Sequence, residues 1–206
     1  MSKFAIGFDL DGTLWNSLQA VSDSWKRACE DIPDVRRPSD EEIKGVMGLP
    51  PLGIATTLFP YLTQERAMEV FAHLTEVEIA HVAKVGGVLF DGLEETLDHL
   101  SKKYPLYIVS NCQKGYIEAF LSYHGLEKYF ADHEDAETTG LTKGQNIRLV
   151  MERNGWDETV YVGDTVGDQR AAKEANVPFL FAAYGFGRAE DPKKSIHDIR
   201  DLMKLY

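Results

Sequence analysis

The sequence predicts an α/β fold, a doubly wound parallel sheet as the core with an α-helical cap inserted near its start. Three observations point there. A run of apolar and small residues, "FAIGFD" (4–9), stops abruptly in acids. From Leu106 onward short apolar runs alternate with stretches of helical periodicity. Between Ser17 and about Val85 no convincing strand occurs, and apolar residues recur three and four apart. The expected division is a core of residues 1–15 and 86–206 and a helical cap of residues 16–85.

"FAIGFD" reads as the first strand because a parallel strand buried on both faces needs a continuous apolar run. The cap follows in "SLQAVSDSWKRACEDI", "SDEEIKGVMG" and "LTQERAMEVFAHLTEVEIAHVAKV". Pro33, Pro38, Pro50, Pro51 and Pro60 divide it into about four helices, with Ser39 as an N-cap after the "IPDVRRP" turn. Trp25, Phe59, Met68 and Phe71 are expected in the cap's own core. Beyond the cap, "LYIVSN" (106–111) leads into the helical "GYIEAFLSYHG", and "YFADHEDA" (129–136) is a weaker strand. "TVYVGD" (159–164) leads into "GDQRAAKEAN", and "VPFLFAA" (177–183) precedes "SIHDIRDLMKLY", expected as a closing helix.

Composition narrows the function. The 206 residues are 44% hydrophobic and 27% charged, enough for one sizeable core and a smaller addition. A net charge of -11 argues against nucleic acid, whose phosphates are held by clustered Lys and Arg. Cys29 and Cys112 are too few for a disulfide framework or a zinc site, and the six histidines show no metal-ligand pairing. With no apolar stretch near the ~18 residues of a membrane span, and a charged "MSKFAIGFDLDG" start, a cytoplasmic protein without membrane association is expected; monomer and homodimer stay open.

Polar clusters stand at strand ends or helix starts: Asp9 and Asp11, then Ser110 and Asn111, then Lys143, then Asp164 and Asp168 in "VGDTVGD". Parallel strand ends point one way, so these converge on one edge of the sheet. Four carboxylates beside one lysine repel one another unless a cation joins them, and oxygen donors of this kind select Mg²⁺. Ser110, Asn111 and Lys143 offer the hydroxyl, amide and ammonium donors that a phosphate needs, and Gly12 with Thr13 lets the backbone turn closely beneath it.

The order "DLDGT", "VSN", a lone lysine and "GDTVGD" resembles the four motifs of the haloacid dehalogenase superfamily, in its phosphatase branch. The cap lies where that superfamily carries its first type of cap, and "KGVMGLPPLGIATTLFP" resembles phosphoglycolate phosphatase-like proteins, with Lys44 as a candidate anion contact. The resemblance implies a phosphomonoester phosphatase acting on a small phosphorylated metabolite, phosphoglycolate being the leading one. In it Asp9 is the nucleophile that forms an aspartyl-phosphate and Asp11 the general acid and base. Ser110 and Lys143 hold the phosphoryl group. Mg²⁺ is held by Asp9, the Asp11 backbone carbonyl and Asp164, with Asp168 supporting from behind. A phosphosugar mutase of the β-phosphoglucomutase kind, or a nucleotidase or pyrophosphatase of the same fold, is the alternative. Three departures stand out: "TKGQNI" replaces the "KPxP" run of many phosphoglycolate phosphatase-like members, Asn16 and Ser17 replace a frequent "DS", and the second aspartate, replaced in dehalogenases, is kept.

Overall fold

The computed structural model describes residues 3–206. Strand β1 (Phe4–Phe8) is followed by β2 (Trp15–Asn16), four helices, α1 (Leu18–Glu30), α2 (Asp40–Val46), α3 (Pro51–Leu58) and α4 (Gln64–Val85), and then β3 (Val88–Leu89). The chain continues through α5 (Leu93–Ser101), β4 (Leu106–Ser110), α6 (Tyr116–His124), β5 (Phe130–Asp135), a single turn α7 (Ala136–Thr139) and α8 (Lys143–Asn154). It ends in β6 (Glu158–Gly163), α9 (Val166–Ala175), β7 (Phe179–Ala182), β8 (Ser195–Ile196) and the short α10 (Leu202–Leu205).

The main sheet has six strands in the order β5-β4-β1-β6-β7-β8, every pairing parallel. β1 lies centrally, so Asp9 leaves the sheet at its middle. Alternation along the strands supplies two apolar layers. Ile6, Phe8, Ile108, Val160 and Val162 face one side with α5 and α6, while Ala5, Tyr107, Val109 and Tyr161 face α8 and α9 on the other. Both faces are covered, which is why these strands read as unbroken apolar runs.

Helices α1–α4 enclose a separate cluster containing Val21, Trp25, Ile43, Leu58, Phe59, Phe71 and Leu74, with Met68 packed at its edge. Ser39 caps α2 in a reciprocal capping box with Glu42. At both ends of this insertion the chain passes through a two-stranded antiparallel ribbon, Trp15 opposite Leu89 and Asn16 opposite Val88. The closing helix expected over 195–206 is largely replaced. Ser195 and Ile196 pair with Phe181 and Ala182 as a sheet edge, and only a 3₁₀ turn (Ile199–Asp201) and α10 remain helical. The edge strand offers open backbone donors and acceptors, and their pairing outweighs the helical spacing of so short a segment.

Candidate active site

β1 ends at Phe8, so the Asp9 backbone continues the ladder through its N–H to the Val162 carbonyl at 2.8 Å while its carboxylate passes beyond the sheet. Lys143 is the first residue of α8, with Thr142 as N-cap in a capping box with Gln145. Its Nζ donates to Asp9 Oδ1 at 2.8 Å and to Asp168 Oδ1 at 2.7 Å, all three side chains being buried. Asp168 closes the capping box of α9: its Oδ2 accepts from the Thr165 N–H at 2.9 Å and the Thr165 hydroxyl at 2.6 Å. Both Asp168 oxygens are thereby engaged, and it holds Lys143 rather than facing open space.

Asp164 follows β6. Its Oδ2 accepts from the backbone N–H groups of Phe186 at 2.7 Å and Gly187 at 3.1 Å, and its Oδ1 lies 3.4 Å from the Thr13 hydroxyl. The "YGFG" loop (184–187) that provides these donors has no room for a side chain at its two glycines: a Cβ on Gly185 would stand 2.3 Å from Asp164 Cβ. Gly12 has φ +80°, and a Cβ there would lie 2.3 Å from Asp164 Oδ2. Gly12 therefore admits both the turn and the aspartate.

Asp11 is gripped on one oxygen. Its Oδ1 accepts from Trp15 Nε1 at 3.0 Å, from the Tyr116 hydroxyl at 3.0 Å and from the Ser17 hydroxyl. Among the described residues nothing donates to Oδ2, which leaves that oxygen to the pocket. Burial raises the Asp11 pKa and these three donors partly offset it. Ser110, the last residue of β4, is buried beside Asp9 and Asp11. The Asn111 side-chain amide donates to the Gly48 carbonyl of the cap at 3.0 Å. Lys44 is exposed and stands apart from the pocket lining, and Cys112 lines it without a base partner.

Carboxylate oxygens of Asp9, Asp164 and Asp168 lie within 4.8 Å of one another. Burial, then repulsion from Asp168, pushes the Asp164 carboxyl up to about 7, and the same two causes raise Asp9 against the pull of Lys143. Burial pulls the Lys143 ammonium down, but Asp168 and Asp9 more than reverse this and its pKa is raised. Three carboxylates against one ammonium, all oxygen donors, suit a hard divalent ion.

The pocket over Asp9 and Asp11 is small, about 40 Å³, and is roofed by Trp25, Met47, Ile54, Phe71 and Glu78 of the cap. It adjoins a cavity of about 1050 Å³ between α3, α4, α8 and α9. Glu78 is buried and pushed up to about 8 by burial; its Oε2 accepts from Trp25 Nε1 and Gln113 Nε2, both at 2.9 Å. The sequence gives no role to Glu78, Gln113 or Tyr116, and marks Ser17 only as a departure beside Asn16. The signal for Glu78 is its place on the buried stripe Phe71, Leu74, Thr75, Glu78 and Val82 of α4, where a carboxylate has no packing use.

The parallel sheet carries its acids at the strand ends beneath a helical cap, the arrangement of a haloacid dehalogenase-like hydrolase. The match to the family of haloacid dehalogenase-like hydrolases covers residues 6–182, and the chain belongs to that family, as an enzyme of its phosphatase branch. A phosphoglycolate phosphatase of Vibrio parahaemolyticus is 26% identical, covering 90% of this chain and 86% of its own. One from Escherichia coli O157:H7 is also 26% identical, covering 98% and 94%. The crystal structure of a predicted phosphoglycolate phosphatase from Haemophilus somnus superposes with a TM-score of 0.84 over 98% of this chain and 96% of its own, at 22% identity. Among the described residues no helix is long and apolar enough to cross a membrane.

Proposed function

We propose that the protein is a Mg²⁺-dependent phosphomonoesterase that turns over small metabolites through an aspartyl-phosphate on Asp9, within a core of residues 1–15 and 86–206 capped by residues 16–85. The observation that carries this reading is the Asp9–Lys143–Asp168 chain, buried and hydrogen-bonded at 2.8 and 2.7 Å. It aims one carboxylate at the pocket and supplies a fixed cation beside it.

Asp9 attacks phosphorus and the ester P–O bond breaks, while Asp11 passes a proton to the departing alcohol. Asp11 then takes a proton from water, which displaces Asp9 and releases phosphate. Its three donors on one oxygen keep the other in place for both transfers. Lys143 shields the approaching phosphate from Asp9, with Ser110 a donor to the transferring group. Asp9, the Asp11 carbonyl and Asp164 would hold Mg²⁺, whose chemistry is to neutralise charge on the phosphoryl oxygens. Thr13 and Gly12 act by shaping the seat of Asp164, and Asn111 by tying the strand end to Gly48.

Phosphate release from a panel of small phosphomonoesters, with Mg²⁺ or with EDTA, tests this. Release should require Mg²⁺ and should be inhibited by excess Ca²⁺, which takes more ligands and holds the nucleophile unproductively. Acid quenching during turnover of a radiolabelled phosphate ester should trap the labelled phosphoryl group on Asp9. Full activity in EDTA, or no label trapped on the protein, refutes the corresponding part. Release without isomerised product separates it from a mutase. Phosphoglycolate, the substrate in the relatives' names, is one member of the panel.

A further inference from the structure

The pocket over Asp9 and Asp11 contains three acids, Asp9, Asp11 and Glu78, and among the described residues no Arg, Lys or His lines it, whereas Lys143 and Arg170 line the adjoining cavity. Lys143, the nearest cation, is spent on Asp9 and Asp168. Trp25 and Gln113 both donate to Glu78 Oε2, one from the cap and one from the core, and nothing among the described residues donates to Oε1. Oε1 is therefore the polar feature that the cap presents to a ligand, set between the apolar faces of Trp25, Ile54 and Phe71.

We propose, resting on the phosphatase reading, that Glu78 selects phosphate esters of small hydroxylated alcohols and that the pocket disfavours esters ending in a carboxylate, phosphoglycolate included. A hydroxyl can donate to an ionised Oε1 and accept from a protonated one, so it matches Glu78 in either state. A carboxylate finds no side-chain cation among the described lining residues, and the negative charge of Asp11 and of an ionised Glu78 nearby. A buried carboxylate needs several donors or a cation to offset desolvation.

The test compares two phosphonates of one chain length by calorimetry at about pH 9, above the value of about 8 to which burial pushes Glu78, with Mg²⁺ present: hydroxypropylphosphonate and phosphonopropionate. They cannot be hydrolysed, so binding is read apart from turnover. Hydroxypropylphosphonate should bind about tenfold or more tighter than phosphonopropionate, since like-charge juxtaposition costs a few kcal/mol and each ~1.4 kcal/mol is tenfold. In Glu78→Gln the amide oxygen can take the place of Oε2 and leave an NH₂ facing the ligand. That variant should lose most of the discrimination and bind phosphonopropionate more tightly than the parent does. Phosphonopropionate binding as tightly or better, a preference unchanged in Glu78→Gln, or no binding by either overturns the proposal. Turnover of p-nitrophenyl phosphate by the parent protein, measured alongside, decides the phosphatase reading separately: its absence with the binding order intact would end that reading alone.

Discussion

Glu78→Gln should raise the stability of the protein at neutral and alkaline pH while leaving it nearly unchanged in mild acid. Burial pushes the Glu78 carboxyl from 4.5 to about 8. Between these two values the folded protein keeps a proton that the unfolded chain has released. Stability from this group is complete below 4.5 and is lost as pH rises through about 8. At about 1.4 kcal/mol per unit, the displacement bounds the effect at about 5 kcal/mol, and relaxation around a side chain that lines a pocket brings the expected gain to roughly 2–3 kcal/mol. Glutamine retains an oxygen for Trp25 Nε1 and Gln113 Nε2, so the hydrogen bonds survive the exchange. Urea unfolding of both proteins from about pH 5 to about pH 9 reads Glu78 together with its repulsion by Asp11, because Asp9 and Asp164 titrate in each and cancel in the difference. A gain that does not grow with pH, or a variant less stable than the parent at the alkaline end, refutes the argument.

Asp9→Asn should abolish turnover, whereas Asp11→Asn should still accumulate phosphoenzyme and lose about 10²- to 10⁴-fold in hydrolysis, which acid-quench trapping of labelled protein separates. Gly12→Ala places a methyl 2.3 Å from Asp164 Oδ2 at a φ of +80°. The backbone strain alone costs about 1–2 kcal/mol, at ~2–4 °C of Tm per kcal/mol for a chain of this size. Displacement of Asp164 should lower kcat further, and unchanged Tm and kcat would show that the turn yields without cost.

The central strand and its acids were legible because burial on both sides leaves β1 no polar residue until the sheet ends. Asp9, Asp11, Lys143, Asp164 and Asp168 could be brought together from topology alone, since parallel strands deliver their ends to one edge. What surrounds them was not legible, for separate reasons. Asp164 is held by N–H groups of Phe186 and Gly187, and a backbone donor carries no signature beyond the glycines that permit its approach. β2 and β3 have two residues each, too few to show any period. Ser195 and Ile196 carry helical spacing, but the open edge of β7 decides their conformation. Glu78 and Gln113 meet across the cap and core, 35 positions apart, so their pairing is invisible until both elements are in place, although Glu78 alone interrupts the apolar stripe of α4.

The ribbon of β2 and β3 bears on how such a chain can change over time. Antiparallel partners sit about 5 Å apart, so residues 17–87 leave and rejoin the core at adjacent points, as the tip of a hairpin would. The core asks of whatever fills that interval only that its ends be one strand spacing apart. Closing a longer loop adds only about 0.6 kcal/mol for each doubling of its length, so the scaffold is nearly indifferent to the size of its insert. A two-residue turn, four helices or a larger module could occupy the same socket without altering the spacing of Asp9, Lys143 and Asp164. Lineages can therefore exchange recognition elements wholesale at this junction while inheriting the reacting groups intact, and selectivity can diverge far faster than chemistry.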